Sequence, residues 1–439
     1  MRLPMLAAAL VAAAPVAAQA PTTLIKNATV LTVSRGTLAN TDVLLRGGKI
    51  AAIGQNLAAP AGATTIDATG KYVMPGIIDP HSHLMSDAIN EGSLSVTSMV
   101  RIADVLNPTD RGIYRAAAGG VTTINILHGS ANTIGGQNAT VKLKPGRTVQ
   151  EMLVPGAPPG IKFALGENVT RKNSSTVIVQ GQSPAPRRYP TSRMGQAEVL
   201  RDAFTRAKAY RAEWTDYRAR TARGEKGLVP PRTDLELEPL VEVLEGRRLV
   251  HAHSYRADEM LMLLNLADEF GFKIQTLQHG LEGYKIASEI AKHGAGLSSF
   301  ADSWSYKIEA YDAIPHNVAI LLRKGVNATI NSDSDERIRR LNIDAARLVR
   351  YGDLTEEEAL RIITLNGAIQ LGIEQRTGSL DIGKDADLAI WTAHPLSVYA
   401  RVETTFADGE VTFDRARDLA AREALAAERK ALEAKEGSR

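Results

Sequence analysis

The chain has 439 residues and a formal net charge of +3, from 52 basic and 49 acidic side chains. That length fits one large domain with an appendage, and so small a net charge gives no support to nucleic-acid binding. There is no cysteine, which excludes disulfides, thiolate metal ligands, iron–sulfur clusters and a cysteine nucleophile.

Residues 1–20 combine Arg2, an apolar run from Leu6 to Ala14 and the small-x-small triplet Ala18-Gln19-Ala20. This is the pattern of a secretory signal peptide, and export without cysteine fits a bacterial periplasm. No later stretch is apolar for long enough to predict a permanent membrane span. Residues 21–75 then read as short strands: Leu24–Val33, Asp42–Arg46 and Lys49–Ile53, with a hairpin turn at Gly47-Gly48. The same texture returns at Ala386–Trp391 and in a hairpin at Asp408-Gly409, so 21–75 and 370–414 are expected to build one β-domain from both chain ends.

Residues 76–369 alternate strands with amphipathic helices, which predicts a parallel α/β sheet, open or closed into a barrel. Strands are expected at Val121–Leu127, Ile161–Leu165, Arg248–His253, Ile274–His279 and Asn327–Asn331. A helical insertion is expected over 171–235. Its segment 171–226 holds 13 basic against 5 acidic residues, the pattern of a solvated helical face. One helix is expected to run from the capping box at Thr355–Glu358 to Gly372, and a last helix covers 415–439.

Nine histidines include two His-x-His pairs, His81-Ser82-His83 and His251-Ala252-His253. Two-residue spacing on a strand aims both imidazoles to one face. Each pair ends an apolar run, as does His279, and Asp333 follows another. Carboxyl ends of parallel strands build active sites. Imidazoles plus a carboxylate suit a divalent ion such as Zn²⁺, one or two per chain, which lowers the pKa of bound water. Lys162, on an apolar strand, is costly to bury as a cation; either it carries a carbamate that joins two metals, or Glu167 at the strand end is the anionic ligand. The glycine-rich stretch His128–Gln137 is expected to line the site, with His128, His253, Arg256 and Tyr284 as candidate substrate contacts.

The run Val73-Met74-Pro75-Gly76-Ile77-Ile78-Asp79-Pro80-His81-Ser82-His83 resembles the first-strand signature of the amidohydrolase superfamily. Thr364-Leu365-Asn366-Gly367-Ala368 and Gly383-Lys384-Asp385-Ala386-Asp387-Leu388 resemble its closing segment. The likeness is to its secreted imidazolonepropionase-like and metallo-dipeptidase branch. It implies a distorted (β/α)₈ TIM barrel with a small β-sandwich formed by both chain ends. It implies that His81, His83, His251 and His279 ligate metal, with His253 the rival of His251. By the same resemblance Asp333 orients the hydrolytic water and takes its proton, Asp335 being a weaker rival. The implied reaction is metal-dependent hydrolysis of a C–N bond in a small molecule or short peptide, of dipeptide or N-acyl amino acid type. A deaminase or cyclic-amide hydrolase with one metal is the alternative. Whether the chain forms a homo-oligomer is left open.

Overall fold

A computed structural model describes residues 21–171 and 188–437. The segment 1–20, expected to be a signal peptide, and the first part of the expected helical insertion lie outside the described residues. Among the described residues no helix is long and apolar enough to cross a membrane.

The chain ends do meet. One eight-stranded sheet runs in the order Glu410–Asp414, Val402–Ala407, Leu388–Trp391, Tyr72–Pro75, Thr23–Leu31, Thr37–Arg46, Lys49–Gly54, with Thr64–Asp67 also beside Thr23–Leu31. The two ends join where Leu388 pairs with Pro75 and Trp391 with Tyr72, antiparallel. Where a β-sandwich was expected, these strands form a single sheet. Its apolar face encloses Ile25, Val43, Val73, Leu388 and Phe406.

The central part places seven parallel strands in two sheets. Ile77–Ser82 pairs with Val121–Ile126. Gly160–Ala164, Leu249–Ser254, Ile274–His279, Gly296–Ser299 and Ala328–Ile330 follow one another in the second sheet. All but Leu249 and Gln275 of these are buried, as strands covered on both faces must be. The expected glycine-rich loop contains a strand instead: Ile134–Gln137 runs antiparallel to Gly160–Ala164, and Ala139–Lys142 runs antiparallel to Val121–Ile126. This bent segment links the two sheets. Its glycines are required by close packing, since a Cβ on Gly135 would lie 2.7 Å from the His128 ring. At the opposite seam, between Ala328–Ile330 and Ile77–Ser82, no strand ladder forms among the described residues. The Asp333 N–H donates to the His81 carbonyl there at 3.2 Å.

The helix Arg193–Ala222 starts at Ser192, whose hydroxyl accepts the Gly195 N–H, and it buries Leu200, Phe204 and Ala207. The helix expected from Thr355 to Gly372 is two helices, Glu356–Ile362 and Leu365–Leu371. The break is at Ile363–Thr364, where the Ile363 carbonyl accepts the N–H of Ile78 on the strand Ile77–Ser82. Thr364 bonds its hydroxyl back to the Leu360 carbonyl at 2.7 Å. A tertiary hydrogen bond thus outcompetes the helical one. The helix Arg415–Glu436 buries no residue.

Candidate metal centre

His81, Lys162, His253 and His279 lie on four strands, Asp333 follows a fifth, and they converge with His83. One ligand-type atom each from His81, His83 and Asp333 falls within 4.8 Å of the other two. His83 Nε2 lies 3.0 Å from the Asp333 carboxylate, His81 Nε2 3.5 Å and His279 Nε2 3.8 Å. Lys162 Nζ sits 3.2 Å from His81 Nε2. The His253 and His279 rings are 4.7 Å apart. His279 and Asp333 both take positive φ, 71° and 42°, which non-glycine residues seldom adopt and which is common at functional sites.

Burial drives the electrostatics. Desolvation first, then the neighbouring cations, hold the His81 and His253 pKa values well below the ordinary imidazole value, and His251 and His279 down to about 3. These rings are neutral, the form that binds metal. Lys162 is lowered by burial to about 7 despite the Asp333 charge. Burial alone would raise Asp333, but the His83 hydrogen bond and the nearby His279, His83 and Lys162 outweigh it and leave its pKa below the usual carboxylate value.

Outer contacts fix the rings. His83 Nδ1 lies 3.1 Å from the Leu127 carbonyl, so it carries the proton and leaves Nε2 facing Asp333. Gln278 spans His81 Nδ1 at 3.2 Å and His251 Nδ1 at 3.5 Å. His279 is held between Tyr255 and Phe300, both stacked on it at 5.2 and 4.6 Å. Asp79 accepts the His81 N–H and the Ser332 N–H, each at 3.2 Å, and the Ser332 hydroxyl. It thereby ties the first strand to the segment that presents Asp333. Burial raises Asp79 to about 7.

The donor set fits a divalent cation. His83 Nε2 and a carboxylate oxygen of Asp333 lie 3.0 Å apart, and imidazole nitrogen with carboxylate oxygen is a donor pair that divalent ions accept. Both ring nitrogens of His279 are buried with no hydrogen-bond partner, an expense that a ligand to metal relieves.

His251 pairs across the ladder with Lys162 and approaches Gln278, whereas His253, one pleat nearer the strand end, is the member set against His279. Glu167 opens a short helix and its carboxylate lies 4.0 Å from Lys307; Lys162 is the group placed against His81. Both ring nitrogens of His128 are engaged within the protein: Nδ1 lies 2.8 Å from the Gly129 carbonyl and Nε2 accepts the Glu91 N–H at 2.8 Å. Tyr284 spends its hydroxyl on the Asp312 carbonyl at 3.0 Å, and Arg256 pairs with Asp258 at 3.1 Å. Asp335 lies outside the converging ligand atoms. Sequence reasoning missed Tyr255 and Asp79; the latter sits at two-residue spacing before His81, on the same strand face.

Residues 72–412 match the model of the amidohydrolase family. The chain is 31% identical over 405 residues to amidohydrolase tasK of Hapsidospora irregularis, covering 85% of this chain but only 40% of that protein. It is 24% identical over 357 residues to the imidazolonepropionase of Picrophilus torridus, covering 74% of this chain and 79% of that one. A solved amidohydrolase from Thermotoga maritima superposes with a TM-score of 0.80 at 34% identity, covering 90% of this chain and all of that one. With the family model spanning most of its length and these residues at its strand ends, the chain belongs to the amidohydrolase family.

Proposed function

We propose that this chain is an exported, metal-dependent hydrolase of C–N bonds that acts on an amide or peptide of dipeptide or N-acyl amino acid type. The observation that carries this reading is the facing of His83 Nε2 and the Asp333 carboxylate at 3.0 Å, with His81, His253 and His279 beside them. His81, His83, His253, His279 and Asp333 would hold one divalent ion, zinc in the first instance, and Lys162 as a carbamate would serve a second. Such an ion supplies Lewis acidity towards the carbonyl and a nucleophilic water at neutral pH.

The protein's own part is proton transfer and positioning. Asp333 stays ionised in a buried setting and keeps 27% of its side chain accessible, so it takes a proton from the attacking water and returns it to the departing amine nitrogen. Asp79 holds Asp333 in register through Ser332. Tyr255 and Phe300 keep the His279 ring from rotating. Residues 1–20 direct export under this reading. A cyclic amide is the second candidate substrate, favoured by the likeness to an imidazolonepropionase.

The test is Asp333→Asn assayed on dipeptides, N-acyl amino acids and cyclic amides. Turnover should fall about 10²–10⁴-fold while metal content, measured by elemental analysis, is retained. Undiminished turnover removes Asp333 from the reaction, and which substrate group the wild type cleaves decides between the two readings.

A further inference from the structure

A second concave region lies away from the metal centre. It is a groove of about 450 Å³ bordered by the end of the helix Arg111–Ala117, the segment 339–343, Trp391, the turn 398–402 and the first turns of the helix Arg415–Glu436. It adjoins Gly119-Gly120, just ahead of the strand Val121–Ile126. The histidines and Asp333 gather at the opposite, carboxyl ends of the strands.

Six arginines line this groove and no acidic residue does. Three are matched by carboxylates outside it. Arg115 and Arg339 share Glu336, at 3.4 and 2.5 Å, and Arg422 pairs with Asp418 at 2.7 Å. The other three are not. Arg401 gives its guanidinium to the backbone carbonyls of Val398 and Ala400. Arg340 and Arg415 have no side-chain hydrogen bond or ion pair with any described residue. Two further donors at the groove lack an acceptor: the buried Nε1 of Trp391 and the buried Nε of Arg339. Trp391 itself is only 2% exposed.

Like charges held together in a concavity repel, and buried donors left without acceptors are costly. An arrangement with both is poor as pure scaffolding. It is well matched to an anion whose oxygens accept several N–H groups at once, and the planar guanidinium fork suits phosphate oxygens above all. We propose that this groove is a binding site for a phosphate-bearing anion, held by Arg340, Arg401 and Arg415 with Trp391 Nε1 as a neutral donor. The site also has a structural reach. Arg415 and Arg422 belong to the terminal helix, which buries nothing of its own, so an occupant would fasten that helix to the body of the protein. Free phosphate and the headgroup of an anionic lipid share this chemistry.

The experiment uses the full chain, with Arg340→Ala/Arg415→Ala as the double variant. Inorganic phosphate is titrated by calorimetry and by tryptophan fluorescence. Vesicles of phosphatidylglycerol, with phosphatidylcholine as control, are tested by flotation. The expected result is binding by the wild type that weakens at least tenfold in the double variant, whose hydrolytic turnover stays unchanged. Phosphate binding assigns the free anion; flotation with phosphatidylglycerol alone, abolished in the variant, assigns the lipid headgroup. Equal binding by wild type and variant, or no binding of either probe by the wild type, overturns the proposal. A second variant, Arg340→Lys/Arg415→Lys, guards against misfolding: it keeps the charge, and binding intermediate between the other two proteins is expected.

Discussion

Lys142 and Lys162 are equally buried, at 2% and 1% exposure, yet their surroundings treat them in opposite ways. Lys142 lies 2.6 Å from Asp385 and 3.0 Å from Asp387, and it also contacts Asp408. Burial works against its charge, but the three carboxylates outweigh burial and raise its pKa. Lys162 meets imidazoles and a more distant Asp333, and burial wins, lowering it to about 7. The two places also contain the two groups of convergent ligand-type side chains found among the described residues, His81–His83–Asp333 and Asp385–Asp387–Asp408. Convergence alone therefore does not mark a metal site. The aspartate group already encloses a cation, the Lys142 ammonium, whereas beside the histidine group burial works against the charge of Lys162.

That contrast can be broken experimentally. Lys142→Met should leave three buried carboxylates without their cation and destabilise the fold by about 3–5 kcal/mol, read from urea unfolding of the metal-free protein. Lys162→Met, measured the same way, should cost less than about 1.5 kcal/mol, the range of a shape-conserving core exchange. Equal losses for the two variants would show that both lysines serve as buried cations. A smaller effect sharpens the rule from the acidic side. Burial raises Glu259 to about 7 although Arg193 opposes it. Its folded pKa exceeds the unfolded value of 4.5, so its contribution is fully present below 4.5 and is lost as pH rises through 7. Glu259→Gln should therefore gain on the wild type across that window, by on the order of 1 kcal/mol, in thermal melts at pH 4.5 and 8; a constant difference would mean that Arg193 keeps the carboxylate ionised throughout.

Much of the centre was legible because its signals are local. His81 and His83 share a strand face by spacing alone, and His279 and Asp333 each follow an apolar run. Depth along a strand is not local: His251 and His253 face the same way, and only the ladder reveals that His253 lies nearer the mouth. The partners of loop side chains are not local either. His128, Tyr284 and Arg256 are close in sequence to site residues, and each bonds a nearby backbone or carboxylate group that spacing alone does not reveal. Asp79 was hidden by its setting, a charged residue inside a fully buried strand whose partner, Ser332, is brought in from the far end of the chain. The antiparallel segment 134–142 escaped notice because its glycines read as loop while they serve close packing against His128 and Val100.

The pairing of Tyr72–Pro75 with Leu388–Trp391 has a bearing on how the molecule is made. An early-synthesised strand must wait for one of the last before its edge is covered, and such distant pairings form slowly. Until then an apolar edge stands open to other chains. Any truncation ahead of residue 388 would leave that edge permanently bare.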